Sequence, residues 1–459
     1  MTLPHAPEGA VEHPEAVEGQ ERRPGDPSGF LGSPFGAAML GVLSTLLGVS
    51  VVTAWVLASY FKVDIPRLLS FDSADGWCDP ARDGVGQHCF GDWAVIRVPS
   101  LTADGLTAES VYPLSARLVR LPFMALDALA GQRATLLVFL AVSVVCLLLP
   151  AWWAARPVRW ELRPVVIAVL GLITAPVLMV LDRGNILGLA IPFCFLAVLG
   201  LVQDRPWMVV VGTIAAASIK PQFALLAFGL VALRHWRWAL GAAAGSVAIV
   251  LLPFAMYGSR ALVRLEAWIN GVGNWSASLR LDDPSHTVVS APRALWLLKH
   301  PSSWGTWDAA LPSYASTLYL AMAVALAVLV VVLLLIAGRR TSPFLVASAL
   351  LAVASLVTPL AFAYYQVFAV VVVALAFRLP PEVSGVGDRS APWPDKVVTI
   401  TLGCALALGL TPLAVPIGVA PTSLVPVLST LAWLCFLVVL GLRTLLVLMP
   451  RRPTTALTP

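Results

Sequence analysis

Twelve stretches of this chain are apolar for long enough, or nearly long enough, to lie as helices in a bilayer, and this repetition limits the fold more than any single motif. They fall near 35–61, 134–154, 164–181, 186–202, 207–219, 221–233, 239–257, 314–337, 344–358, 364–378, 397–412 and 425–447. A helix needs about 20 apolar residues to match a ~30 Å hydrocarbon core. Only helices and closed barrels satisfy their backbone groups in lipid, and a barrel would need short alternating strands in place of these long Leu/Val/Ala runs. Composition agrees: 59% of the residues are hydrophobic and 12% charged, against about a quarter charged in soluble domains. The sequence predicts an all-α polytopic membrane protein, a bundle of about 11–13 transmembrane helices with interfacial helices in the first outer loop.

Charge sets the expected orientation. The net charge of +5 comes mainly from arginine, in clusters at 156–163, 234–238, 338–340 and 450–453. Such clusters favour the cytoplasmic side. Placing "ERR" (21–23) inside puts every one of them inside, so both termini are expected in the cytoplasm and the protein in the plasma membrane. Residues 1–34 are rich in Pro, Glu and Gly and read as a disordered tail; 35–448 form the membrane domain and 449–459 a second tail. The long polar segments 62–133 and 258–313 then face outward, as do the breaks at 182–185, 220–222 and 359–365. The cytoplasmic connections are short and basic, apart from a Pro/Gly/Ser-rich linker at 379–396. Every polar interruption with chemical potential falls on one side.

Two of these breaks carry ionisable groups. Thirteen helical residues cover only ~20 Å at 1.5 Å per residue, so 207–219 and 221–233 cannot each cross a normal core. The "IKPQ" turn between them must lie below the surface, where non-helical backbone is tolerated only inside protein or beside a watered cavity. Lys220 and Gln222 flank Pro221 there, and an ionisable residue at such depth points to function. In "VLDRGNILG", Asp182, Arg183 and Asn185 interrupt an otherwise apolar pattern around Gly184. Asp182 and Asn185 share a side if the turn stays helical. Arg183 either offers a fork of donors to a phosphate or pairs with Asp182.

The first outer loop holds Asp72, Asp75, Asp79, Asp83 and Asp92 with Trp77 and Trp93. Apolar character resumes beside Asp92 in "GDWAVIRVP", so its carboxylate is expected partly desolvated and suited to act as a general base. A divalent metal among these acids is not favoured, because their spacing matches no calcium loop, and no cofactor is expected. Cys78 and Cys89 share this loop and are disulfide candidates if it faces outward. Tyr112 and Pro113 open an amphipathic helix whose Arg117 and Arg120 are placed to meet anionic headgroups. The second outer segment offers His286, which titrates near neutrality. Tyr364 and Tyr365 stand at a late helix end, as an aromatic belt or a sugar-stacking wall.

An outer-loop Asp, "YPL", "LDRGN", "KPQ" and a late "TP…YY" break, in this order and on one side, resemble the C-type membrane glycosyltransferases that use polyprenyl-phosphate sugars. The likeness is greatest to glycosyltransferase family 87, which includes actinobacterial α-(1→2)-mannosyltransferases acting on phosphatidylinositol mannosides and lipoglycans. The resemblance implies transfer of mannose from a polyprenyl-phosphate donor to a glycolipid or lipoglycan acceptor outside the plasma membrane, with inversion. It also implies an acidic base, best matched by Asp92, with Asp75 or Asp72 as alternatives because the loop is long and carries the cysteine pair. Arg183, Lys220, Asn185, Gln222 and Asp182 would hold donor phosphate and sugar, and His286, Tyr365 and Tyr112 the acceptor side. The expected partners are the donor, the acceptor and membrane lipids, with no nucleic acid. An arabinofuranosyltransferase using the same carrier would need the same phosphate contacts. A lipid-linked-sugar flippase or transporter, with Lys220 and Asp182 as a gated ion pair, should show inverted repeats, and none is evident.

Overall fold

A computed structural model describes residues 33–62, 112–278, 290–299, 313–357, 361, 363–388, 390–413, 415 and 424–449. Asp72, Asp75, Cys78, Cys89, Asp92 and His286 lie outside the described residues. Within them the chain is helical and contains no strand. Six helices are long and apolar enough to cross a membrane: Pro34–Tyr60, Gln132–Ala155, Trp236–Val272, Thr317–Arg340, Trp393–Leu410 and Val425–Leu448. Shorter apolar helices occupy Leu187–Val202, Pro206–Ile219, Pro221–Ala232, Pro343–Leu356 and Ala363–Arg378. Together with a bent pair described below, these correspond to the twelve apolar stretches of the sequence. The protein is an all-α, multi-pass membrane protein.

Proline explains many helix starts. It occupies one of the first two positions of Pro34–Tyr60, Pro206–Ile219, Pro221–Leu226 and Pro343–Leu356, where its missing N–H costs nothing. Ser33 and Ser342 add side-chain caps, accepting from the N–H of Gly36 at 3.0 Å and of Phe344 at 3.2 Å. Ser33 also donates to the Ala376 carbonyl at 2.6 Å, which pins the first helix to the end of Phe368–Arg378.

Burial sorts the helices into two layers. Every residue from Phe344 to Leu356 is buried, and so is every one from Phe368 to Phe377. Helices apolar all round belong in the interior. The long helix Pro34–Tyr60 buries little and exposes Val51, Val52 and Trp55, as a lipid-facing helix should. Shortness and depth go together: the interior elements are those too short to span alone. Close packing supports them, since a Cβ at Gly212 would stand 2.5 Å from the Phe193 carbonyl oxygen, so only glycine lets Pro206–Ile219 approach Leu187–Val202 this closely.

Three local features depart from the expected spans. The stretch 164–181 is not one straight helix, for Arg163–Leu172 and Ala175–Arg183 meet at 64°. The first ends in a π-helical turn, Ala168–Leu172, and Pro176 has no N–H to continue the ladder. The stretch 239–257 ends its α-helix at Leu251 and passes through the 3₁₀ segment Leu252–Arg260, kinked at Gly258. A helix then runs Ala261–Ser278, where a polar outer segment was expected from 258.

The clusters at 234–238 and 338–340 meet at one end of the bundle. Asp204 Oδ1 lies 2.7 Å from His235 Nε2, and its Oδ2 lies 3.6 Å from Arg339 Nη2, joining three connections. Arg443 donates to Asp395 at 2.7 Å and to the Arg340 carbonyl at 3.5 Å. Arg378 donates to the Trp153 carbonyl at 3.0 Å and covers the Trp153 ring at 4.1 Å.

Candidate functional site: a lysine among tyrosines

The opposite end is built from three chain breaks and one short helix. The first break ends helix Ala175–Arg183. Gly184 adopts φ 61°, ψ 39°, and its N–H reaches the Leu181 carbonyl at 3.1 Å while that of Asn185 reaches Val180 at 3.0 Å. This is a Schellman closure, which needs a left-handed residue and therefore favours glycine. It also answers the conditional expectation for Asp182 and Asn185: the turn does not stay helical. Asn185 begins the next helix instead, its Oδ1 accepting from the Leu187 N–H at 2.8 Å. Its Nδ2 donates to the Tyr112 hydroxyl at 3.1 Å, and the residue is fully buried. One amide thus joins two helices to the tyrosine that precedes the helix Leu114–Leu118.

The second break is the lysine turn. Pro206–Ile219 stops at Lys220, whose backbone is extended (φ −138°, ψ 106°), as expected of a residue before proline. A 3₁₀ segment, Pro221–Leu226, follows. Lys220 is 7% exposed. Its Nζ donates to the Tyr365 hydroxyl at 2.9 Å, sits 4.2 Å from the Tyr112 ring centroid and 5.1 Å from that of Tyr365. Both rings are within the ~6 Å range of cation–π attraction. Among the described residues no carboxylate forms an ion pair with it.

The third break is the tyrosine turn Ala363–Val367, 3₁₀ throughout and buried. Tyr364 and Tyr365 stack at 5.0 Å with their planes 23° apart. Tyr365 faces Lys220, while the Arg183 guanidinium stands 5.8 Å from the Tyr364 ring. Arg183 is 6% exposed. Next in the turn, Gln366 accepts from Ser429 at 2.7 Å and donates to Thr430 Oγ1 at 3.1 Å. The final helix therefore anchors the tyrosine turn through a buried amide. No ionisable group in that helix signalled this; only polar Ser429 and Thr430 in an apolar run did.

Of the residues proposed from sequence, Tyr112, Asn185, Lys220 and Tyr365 form one continuous set of contacts, and Arg183 joins it through Tyr364. Asp182 is partly buried at the end of its helix. Gln222 stands elsewhere, on the wall of an otherwise apolar cavity of about 410 Å³ lined also by Leu225, Phe228, Val328, Val332 and Val357. This volume lies within the ~300–1,000 Å³ of small-molecule sites. Gln366 was not among the residues proposed from sequence. Among the described residues no cluster of His, Cys, Asp or Glu has the makeup of a metal site.

Chemically, the tyrosine-bound lysine is a buried cation with spare donors. An ammonium offers three N–H groups, and one goes to Tyr365. Tyrosine faces attract it without neutralising it, so the site favours an anion that supplies oxygens. A comparison with known families gives a match to the profile described as Glycosyltransferase family 87, over residues 111–359. The match covers more than half of the 459 residues and includes Tyr112, Asn185 and Lys220. Neither the curated proteins nor the solved structures include a match to the chain.

Proposed function

The chain belongs to glycosyltransferase family 87 and is a multi-pass membrane glycosyltransferase, and from this we propose that it moves a sugar, assigned as mannose, from a polyprenyl-phosphate donor to a glycolipid or lipoglycan acceptor at the outer face of the plasma membrane. The observation that carries the reading is Lys220, a buried cation among tyrosine rings with no carboxylate partner among the described residues. A carrier phosphate would supply the missing anion. The apolar cavity beginning at Gln222, two residues from Lys220, suits the isoprenoid chain joined to that phosphate.

In the proposed reaction an acceptor hydroxyl oxygen attacks the sugar's anomeric carbon, and the bond from that carbon to the phosphate oxygen breaks. The hydroxyl proton passes to a carboxylate, assigned to Asp92 with Asp75 or Asp72 as the alternatives. Polyprenyl phosphate leaves with an added negative charge. A single displacement inverts the anomeric centre and needs no enzyme nucleophile. Lys220 would meet the charge that grows on the leaving phosphate, which is where a fixed cation lowers a barrier most. Tyr365 and Tyr112 hold that ammonium in place, and Arg183 is assigned to the phosphate from the Tyr364 side. The Lys220–Tyr365 bond favours this reading over a transporter gated by Lys220 and Asp182, because the lysine's hydrogen bond goes to a hydroxyl and not to that carboxylate.

Purified protein in lipid, given radiolabelled polyprenyl-phosphate mannose and a glycolipid extract, should transfer label. Asp92→Asn should abolish transfer while donor binding persists. Full activity in that variant would move the base to another carboxylate, whereas no transfer by the unaltered protein with any polyprenyl-phosphate sugar would overturn the donor class.

A further inference from the structure

Beside the lysine turn lies a second set of cationic donors that the proposed chemistry does not use. The short helix Leu114–Leu118 is fixed to the last turn of Pro206–Ile219 by Ser115 Oγ, which donates to the Ser218 carbonyl at 2.7 Å. Arg117, two residues on, lies about 200° further around the helix, so it points away from that contact. It faces the 3₁₀ segment Leu252–Arg260, which packs against this helix. Its Nε and Nη2 atoms are buried and have no hydrogen-bond partner among the described residues. Against the same segment Trp268 packs on Phe254 at 6.0 Å, and its Nε1 is likewise buried with no partner among the described residues. The Arg264 guanidinium stands 5.8 Å from the ring of Tyr257 in that segment.

Three buried N–H-bearing atoms that find no acceptor among the described residues are costly unless a further acceptor arrives. Burial of the Arg117 guanidinium lowers its pKa from the ordinary arginine value, partly offset by Tyr257. The surroundings indicate the kind of acceptor. Leu252, Met256, Leu262 and Val263 are exposed around this segment, so acyl chains and not water cover its flank. A phosphate with attached acyl chains satisfies both the donors and the apolar flank.

We propose that Arg117, between helix Leu114–Leu118 and segment Leu252–Arg260, binds the phosphate of an anionic glycerophospholipid at a site separate from the Lys220 site. Arginine suits this because its planar fork can give two parallel bonds to phosphate oxygens. Trp268 is placed at the same segment to donate to the headgroup or ester region, where tryptophan is favoured in membranes.

The test is native mass spectrometry of the full chain equilibrated with phosphatidylglycerol or with phosphatidylcholine. The unaltered protein should retain one tightly held phosphatidylglycerol in preference to phosphatidylcholine. Arg117→Gln should weaken that retention by about tenfold or more, and Arg117→Lys, which keeps the charge and guards against misfolding, should weaken it less. Lys220→Gln should leave it unchanged. Equal retention by Arg117→Gln and the unaltered protein would overturn the proposal, as would lack of preference between the two lipids. Loss of the lipid in Lys220→Gln would assign it to the donor site instead. Displacement by inorganic phosphate alone would show a free-anion site and contradict the lipid assignment.

Discussion

The two ends of the bundle treat cations in opposite ways. At the arginine end, Arg339 and Arg443 meet Asp204 and Asp395, and Arg378 caps the Trp153 carbonyl. Arg339 and Asp204 are well exposed there, so water and salt already answer their charge. At the tyrosine end Lys220 is withdrawn from water and contacts a hydroxyl and two rings. Charge at the first end is satisfied by the chain itself. At the second end no carboxylate among the described residues pairs with the lysine, a costly arrangement for a group that serves the fold alone.

The contrast can be broken most severely at Lys220. Lys220→Gln should lower sugar transfer by about 10²–10³-fold, the scale of losing one donor to a developing oxyanion, with expression and thermal unfolding little changed. A smaller loss tests the cage around it. Tyr365→Phe keeps the ring but removes the 2.9 Å bond to Nζ, and transfer should fall about tenfold, consistent with ~1.5 kcal/mol for a hydrogen bond to a charged group. Asn185→Ala acts on structure and site together. It removes the Leu187 cap and the Tyr112 contact, so unfolding stability should drop by ~1–2 kcal/mol and activity several-fold. Gly184→Ala introduces a side chain at φ 61°; a cost of ~1 kcal/mol should appear as a lower melting temperature, with the donor affinity retained. The least effect belongs to the arginine end. Arg339→Gln should change stability by no more than ~0.5 kcal/mol and leave transfer unaltered, because its partner is exposed and solvent screens the pair.

The layout of the spans was open to the sequence because bilayer thickness imposes a length on apolar runs. Most of the twelve stretches contain helices close to their expected limits, 164–181 and 239–257 being the exceptions. The shortness of 207–219 and 221–233 was informative too, since it drew attention to the turn at Lys220, whose side chain the protein buries. Other features depend on three-dimensional packing that no run length reports. The 64° bend before Ala175–Arg183 needs both a π-turn and a proline placed against neighbours. Gln222 follows Lys220 by two positions, yet it lines the apolar cavity while Lys220 enters the tyrosine cluster. The final helix illustrates the same limit. Ser429 and Thr430 gave no sign in the sequence of their partner Gln366, more than sixty positions away.

The claim that Lys220 holds the carrier phosphate is tested without any chemistry by the affinity of the full-length protein for polyprenyl phosphate lacking a sugar. Measured in lipid nanodiscs, Lys220→Gln should raise the dissociation constant by about 10²-fold, equivalent to ~2.7 kcal/mol, while Arg339→Gln matches the unaltered protein. Equal affinity in Lys220→Gln and the unaltered protein would contradict the assignment of this buried lysine to the phosphate.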